Sequence, residues 1–177
     1  MSKTSVMPQA DQNDEVYAMI SFGHKESKYD KNSGFFFSVY VGMVDAAMVI
    51  DPGIIIEWHG PLAWNPLPEI ADIRKLTARP VDGIMVTAAD AEALNPAIND
   101  AIRAGIPVIN FDADSPGSER LTFVGTNNFN AGYLAGQKMA EWLAGQGDVM
   151  IASNPNAAHL EARINGFKTA LAEFAPH

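Results

Sequence analysis

Short apolar runs alternate along this chain with longer segments in which apolar residues recur every three or four positions. Six runs have the length and composition of buried parallel strands: 16–22, 54–58, 83–86, 108–111, 121–124 and 149–152. Five amphipathic segments predict helices: 35–50, 68–79, 91–104, 130–144 and 159–174. Strands that alternate with helices of this length are typical of βαβ units. The predicted fold is therefore α/β, a three-layer open parallel sheet with helices on both faces.

Individual positions define the faces and ends of these helices. The expected buried faces comprise Phe36, Val39, Tyr40, Met43 and Ala47 in the first helix, Ile70, Ile73 and Leu76 in the second, and Leu160, Ile164, Phe167, Leu171 and Phe174 in the last. Asp90 is placed to cap the third helix, and Gly105 is placed to end it. Gly132 and Gly136 predict close packing of the fourth helix on the sheet.

The composition excludes several classes of function. The chain of 177 residues has a formal net charge of -9 and only 12 scattered Lys and Arg residues, which argues against a nucleic-acid-binding surface. It contains no cysteine, and therefore no disulfide, thiolate metal site or cysteine nucleophile. No apolar run reaches the ~18 residues expected of a membrane-spanning helix. Residues 1–15 are polar and lack periodicity, so a disordered leader without a secretory signal is expected.

Polar residues stand where the predicted strands end. Thr87 and Asp90 follow the third strand, and Asp112 and Asp114 follow the fourth. Ligands of open parallel sheets bind outside the carboxyl ends of the strands, so these residues are candidate ligand contacts. The Asp112 carboxylate is able to accept hydrogen bonds from two adjacent sugar hydroxyls. The alternative for Asp112 and Asp114 is a role in a turn, because a Ser-Pro-Gly sequence follows them.

The stretch 80–128, with its segments PVDGIMVTAAD and AGIPVINFDADSPGSERLTFVGTNN, resembles the periplasmic sugar-binding proteins of the ribose and galactose type. Their fold is shared with the effector domains of lactose-repressor-type regulators. The resemblance extends over about 16–174. It implies an N-terminal α/β lobe at 16–126, followed at 127–177 by a crossover helix and the first strand-helix unit of an incomplete second lobe.

The resemblance also implies which residues contact a ligand. Asp112 matches a ligand contact of the family, and Phe35 and Phe36 match aromatic residues that stack on the sugar ring. Phe37 is expected to be buried. Arg163, before a Gly-Phe pair, matches an Arg that faces the cleft, although an exposed Arg paired with Glu161 or a neighbour is an equal alternative.

The remaining matches to the family are less specific. Thr87 and Thr126 match residues that border the cleft, and Asn154 is a weaker candidate. The chain departs from the family at Ala113, where the family often has Arg, and at Ser33-Gly34, where Asn-Pro is common.

Histidine and tryptophan residues leave two alternatives open. Trp58, His59 and Trp64 lie at the end of the second predicted strand, where they could serve as a platform for a sugar or simply fill gaps at the rim. The other histidines, His24, His159 and His177, have no spacing typical of a metal site and are expected at the surface.

The function implied by the resemblance is that of the substrate-binding component of a sugar ABC transporter. Such a protein captures a monosaccharide or similar solute between two lobes in the periplasm and presents the closed form to a membrane permease. No metal, organic cofactor, nucleic-acid partner or membrane insertion is expected. The first alternative is the effector-sensing domain of a lactose-repressor-type regulator that lacks its DNA-binding part. The second is a small α/β hydrolase or isomerase that uses Asp112 and His59.

Overall fold

The computed structural model describes residues 15–22, 34–61, 64–153 and 157–175. The strands of this part are β1 Val16–Ile20, β2 Ile55–His59, β3 Gly83–Val86, β4 Val108–Phe111 and β5 Phe123–Val124. The helices are α1 Gly34–Ile50, α2 Pro66–Thr77, α3 Ala91–Arg103, α4 Asn128–Trp142 and α5 Ala158–Phe174. Apart from the run 149–152, every predicted element is present, and most boundaries are within two residues of the prediction. The predicted leader lies almost wholly outside the described residues.

The five strands form one parallel sheet in the order β2-β1-β3-β4-β5. The chain runs from β1 outward to β2 and then returns past β1 to reach β3. The direction of winding therefore reverses between β1 and β3. In open parallel sheets, this reversal opens a crevice outside the carboxyl ends of the two strands concerned.

Helices cover the sheet on both faces, as the sequence predicts. On one face, Ala18 and Ile20 of β1 pack with α2 and α3 around a fully buried group that includes Ile73 and Ile98. On the other face, Met19 packs with the α1 residues Phe36, Val39, Tyr40 and Met43. Side chains of successive strand residues point to opposite faces, so a strand buried on both sides needs a continuous apolar run. The fold is thus a three-layer α/β sheet.

Polar side chains fix where the helices begin. The Asn65 side chain accepts a hydrogen bond from the Leu67 amide at the start of α2, and Asn127 does the same for the Asn130 amide in α4. Asp90 caps α3 by accepting from the Ala93 amide at 3.0 Å, which confirms its predicted role. Gly105 follows α3 with a φ of +89°, a conformation that glycine adopts without strain.

The glycines of α4 allow a close helix-helix contact, not the predicted helix-sheet contact. A Cβ at Gly132 would lie 1.8 Å from the Arg163 carbonyl oxygen, and one at Gly136 would lie 2.4 Å from that of Phe167. On α5, Gly166 approaches the Phe129 carbonyl in the same way. The prediction of close packing was right, but the partner of α4 is α5.

The predicted strand 149–152 does not form among the described residues. Its backbone has no strand partner there, and Met150 is 92% exposed. A strand needs a neighbour to satisfy its backbone groups, so an apolar run alone is not sufficient. The apolar stripe predicted on α5 is correspondingly only half-buried, and Leu160, Ile164 and Phe167 line a depression beside this segment.

Candidate ligand-binding site

The candidate site lies where the sheet changes its winding direction, at the carboxyl ends of β1 and β3. Phe22 follows β1 at this edge, and Thr87 follows β3, where its amide donates to the Ile20 carbonyl at 3.1 Å. The loops after β2 and β4 open at the same edge because all strands are parallel. We call this region the crevice.

Aromatic rings form one wall of the crevice. The Phe36 ring lies 5.7 Å from that of Phe22 and 6.1 Å from that of Phe111, both in edge-to-face geometry. The Phe35 ring lies 5.0 Å from Phe36 and is 58% exposed. Phe36 thus packs the start of α1 against the end of β4, and the Phe35 ring beside it is largely exposed to solvent.

The prediction that Phe37 is buried was wrong, since its side chain is 49% exposed. Consecutive helix residues are about 100° apart around the axis, so Phe36 and Phe37 cannot both face the sheet. Phe36 belongs to the buried stripe with Tyr40 and Met43, and this leaves Phe37 outward.

Asp112 follows Phe111 directly and therefore lies beside the aromatic wall. Its backbone has a φ of +60°, which few residues other than glycine adopt and which Asp tolerates better than most. The other carboxylates of this edge are engaged by the protein. Asp114 receives two hydrogen bonds from Arg120, at 2.5 and 2.7 Å, and Asp90 caps α3. Asp114 is thus held by Arg120 and does not lie in the turn at residues 116 and 117, whereas the role of Asp112 as a ligand contact remains a prediction.

Arg163 of α5 is held by Asn128 at the start of α4. Its Nε and Nη2 atoms donate to Asn128 Oδ1 at 3.1 and 2.5 Å, and Asn128 Nδ2 donates to the Thr126 carbonyl at 3.1 Å. The Arg163 side chain is exposed, as in the second alternative, but among the described residues its partner is Asn128 and not Glu161. Thr126 is exposed at the junction between β5 and α4. The predicted Asn154 lies outside the described residues.

The crevice contains His159, for which the expected surface position was wrong. His159 is half-buried in the first turn of α5, and its ring lies 5.9 Å from that of Trp64. Burial lowers the pKa of His159; the Asp112 carboxylate opposes this shift, and the Arg163 guanidinium adds to it. His159 therefore lies within electrostatic reach of two predicted ligand contacts from different elements. No local signal in the sequence marks it, because its position depends on where α5 packs.

Two fully buried polar side chains lie beneath this edge. Thr87 is buried, and its Oγ1 has no hydrogen-bond partner in the described part of the chain. Glu69 of α2 is also fully buried; its Oε2 accepts from the Ala89 amide at 3.1 Å, whereas Oε1 is unpartnered within the same ranges. Burial raises the pKa of Glu69 to about 8, against the opposing effect of the Ala89 hydrogen bond. Glu69 lies four and seven positions before Ile73 and Leu76, a spacing that marks it as core-facing.

Trp58, within β2, belongs to the core, whereas Trp64, in the loop after β2, belongs to the crevice. Trp58 is buried against Tyr40, with ring centroids 5.4 Å apart, and donates to Ser21 Oγ at 2.9 Å. His59 pairs with Glu57 at 2.8 Å. The gap-filling alternative thus applies to Trp58, while Trp64 faces the crevice.

A polar cavity of about 360 Å³ adjoins the crevice. Its lining comprises residues 88–92, Asp114, Ala158, His159 and Glu161. Across the described ranges, no group of three or more His, Asp or Glu side chains is arranged to hold a metal ion. Within the same ranges, no helix has the length and apolar character required to cross a bilayer.

Comparison with known proteins gives consistent matches. A family described as "periplasmic binding protein domain" matches residues 27–177. The ribose import binding protein RbsB of Escherichia coli (strain K12) is 31% identical over 102 residues, which are 58% of this chain and 34% of RbsB. The chain thus spans about a third of the length of this curated relative.

Solved structures give the same result. A sugar-binding protein of a sugar ABC transporter from Bacillus halodurans is 34% identical with a TM-score of 0.76, over 90% of this chain and 52% of that protein. A solute-binding protein from Burkholderia graminis C4D1M, in complex with D-arabinose, is 28% identical with a TM-score of 0.76, over 95% of this chain and 54% of that protein. The family match over most of the sequence and the parallel sheet with its crevice lead to one conclusion: this chain belongs to the periplasmic binding protein domain family.

Proposed function

We propose that this chain is part of the substrate-binding component of a sugar ABC transporter and binds a monosaccharide or similar solute in the crevice. One observation carries the proposal: the aromatic wall and the polar side chains of Asp112, His159 and Arg163 come together at a single edge of the sheet. These residues come from α1, from the ends of β1 and β4, and from α5, and the fold alone requires no such convergence.

The chemistry of this edge suits a sugar. A sugar ring has apolar C–H faces, which pack on aromatic side chains, and hydroxyls, which need hydrogen-bond partners around the rim. Phe35 supplies an exposed ring, and the Asp112 carboxylate is able to accept from two hydroxyls at once. The Arg163 guanidinium, held by Asn128, offers its remaining N–H donors to ligand oxygens. Thr87 and Thr126 border the same region.

We assign residues 16–126 to a first lobe and residues 127–177 to the crossover helix and the opening strand-helix unit of a second lobe. In this assignment α5 contributes His159 and Arg163 from the second lobe, and the ligand is enclosed when the lobes close about the segment near Thr126. The closed form is then the one that a membrane permease recognises at the periplasmic face. No enzymatic step or cofactor is part of this mechanism.

The names of the relatives favour transport over the effector-sensing alternative. RbsB is an import binding protein, and the two structural neighbours are named as ABC transporter proteins. The binding partner of the chain is therefore proposed to be a permease and not DNA.

A thermal-shift screen against a panel of pentoses and hexoses tests the proposal. A ligand that binds only the folded chain raises its stability by RT ln(1 + [L]/Kd), so even a weak ligand is detected at high concentration. Sucrose at equal concentration controls for general stabilisation by excluded solutes. Asp112→Ala is the matched variant, because its side chain makes no hydrogen bond within the described residues and is not part of the core; since the φ of +60° strains Ala more than Asp, each melting temperature is compared with that of the same protein without sugar.

The expected result is a melting temperature that rises with one or a few monosaccharides beyond the sucrose control, and a rise that is lost in Asp112→Ala. A panel in which every sugar matches sucrose contradicts the proposal. An equal response in Asp112→Ala removes Asp112 from the site.

A further inference from the structure

We propose that Trp64 is a ligand-stacking residue of the crevice and that Glu69 is its positioning residue, acting through the Ala89 peptide. This inference rests on the proposed function and extends it to a second aromatic surface and the device that fixes it. It also explains why a carboxyl group is kept inside the fold at this place.

Trp64 is fixed at its edge and on one ring face. Its Nε1–H donates to the Ala89 carbonyl at 2.9 Å. Its ring packs on Phe22 at 4.0 Å between centroids, with an interplanar angle of 35°. The side chain nevertheless remains 42% exposed, and the ring of His159 lies 5.9 Å away. An indole that is held at the edge and backed on one face is ordered while it still offers surface to the crevice.

Trp64 and Phe36 flank the same central ring. Phe22 lies 4.0 Å from Trp64 and 5.7 Å from Phe36, and Phe36 in turn contacts Phe35. The aromatic wall therefore runs from the start of α1 across the end of β1 to the loop before α2. A wall of this kind matches the C–H face of a pyranose or furanose, whereas Asp112 and Arg163 match its hydroxyls.

The carbonyl that holds Trp64 belongs to a residue whose amide is itself held. The Ala89 amide donates to Glu69 Oε2 at 3.1 Å, and Glu69 is fully buried on α2. The residues around Ala89 are thus fixed from below by α2, while its carbonyl is directed to the indole above. Burying a carboxyl group is costly unless it is hydrogen-bonded. We infer that Glu69 is buried despite this cost because it holds the Ala89 peptide, and through it Trp64, in place.

Nuclear magnetic resonance of the 177-residue chain labelled with ¹⁵N tests the inference, with D-ribose and D-arabinose as probes. Of the three tryptophans, Trp142 is 75% exposed near the end of α4, so its indole N–H signal serves as the internal control; the Trp58 indole donates to Ser21, next to Phe22, and is not used for this purpose. Four variants complete the set: Trp64→Ala, Trp142→Ala as its matched control, Glu69→Gln, which retains a hydrogen-bond acceptor, and Glu69→Leu, which does not.

In the expected result, a sugar that shifts the amide signals of Phe36 and Asp112 also shifts the Trp64 indole signal but not that of Trp142. Trp64→Ala weakens binding about tenfold, which is the effect of losing one aromatic face. Glu69→Leu displaces the Trp64 indole signal before any sugar is added and weakens binding, while Glu69→Gln and Trp142→Ala do neither.

Two different failures are distinguishable. Sugar-dependent shifts at Phe36 and Asp112 with an unmoved Trp64 signal, and full affinity in Trp64→Ala, overturn the role of Trp64 and leave the proposed function standing. An unmoved Trp64 signal in a folded Glu69→Leu variant overturns the role of Glu69. If neither sugar shifts any crevice signal, both the proposed function and this inference fail for these ligands.

Discussion

Glu69 makes the stability of this fold depend on pH in a direction opposite to that of most carboxylates. The carboxyl group is fully buried, and burial raises its pKa from the ordinary value of 4.5 to about 8. Asp72 on the same helix raises it further through its negative charge. Between these two pH values the unfolded chain has lost the proton while the folded chain retains it. Folding then takes up a proton, so stability falls as the pH rises through this interval.

The magnitude follows from the two pKa values. A difference of one in pKa corresponds to ~1.36 kcal/mol. The interval from 4.5 to about 8 therefore corresponds to about 5 kcal/mol, a large fraction of the stability of a domain of this size. The side chain of Glu69→Gln has nearly the same shape, retains an acceptor for the Ala89 amide and does not titrate, so its folded form does not incur this cost.

Urea denaturation of both proteins at a series of pH values is the assay. The comparison of Glu69→Gln with the unsubstituted chain cancels the contributions of all other titrating groups, including His159. We expect the variant to gain stability relative to the unsubstituted chain as the pH rises from 4.5 to about 8, by several kcal/mol in total. Glu92→Gln, which removes an exposed carboxyl from the first turn of α3, is the control and should show no such gain. Parallel pH profiles for Glu69→Gln and the unsubstituted chain would refute the reasoning.

Two further predictions concern packing and ion pairing. Gly132→Ala places a Cβ 1.8 Å from the Arg163 carbonyl oxygen and should lower the free energy of unfolding, measured with urea, by ~1–3 kcal/mol. The control is Gly42→Ala in α1, which has no atom within 4 Å and should raise that free energy by ~0.5–1 kcal/mol. Equal effects of the two substitutions would contradict the close contact of α4 with α5. Asp114→Ala removes the bidentate partner of Arg120 and should lower the melting temperature. High salt should reduce this difference, because it weakens the ion pair of the unsubstituted chain. An unchanged melting temperature would show that the pair contributes nothing.

Local sequence signals were sufficient for most of the sheet and its helices. The strands β3 and β4 have the predicted boundaries, because a short apolar run between turn residues leaves few alternatives. Asp90 and Gly105 mark the ends of α3 through chemistry that involves only neighbouring residues. These features depend on interactions a few positions apart, which the sequence displays directly.

Features that depend on distant partners were harder to predict. The run 149–152 has strand composition, but strand formation requires a neighbour that the described residues do not supply. His159 reaches the crevice only because α5 packs on the glycines of α4. Glu69 is likewise buried by contacts with residues distant in sequence, among them Ala89. Its acidic side chain suggests a surface residue, even though its helical spacing indicates the core. The polar residues at the strand ends could be predicted as neighbours, because parallel strands end at one edge.

The most direct test of the sugar-binding crevice is saturation-transfer NMR between the protein and a dissolved monosaccharide. The aromatic ring protons of the chain are irradiated, and transfer to the C–H protons of D-ribose or D-arabinose is recorded for the unsubstituted chain and for Asp112→Ala. The account predicts transfer concentrated on one face of the sugar, and its loss in the variant. Absence of transfer from the unsubstituted chain, or equal transfer from Asp112→Ala, would contradict it.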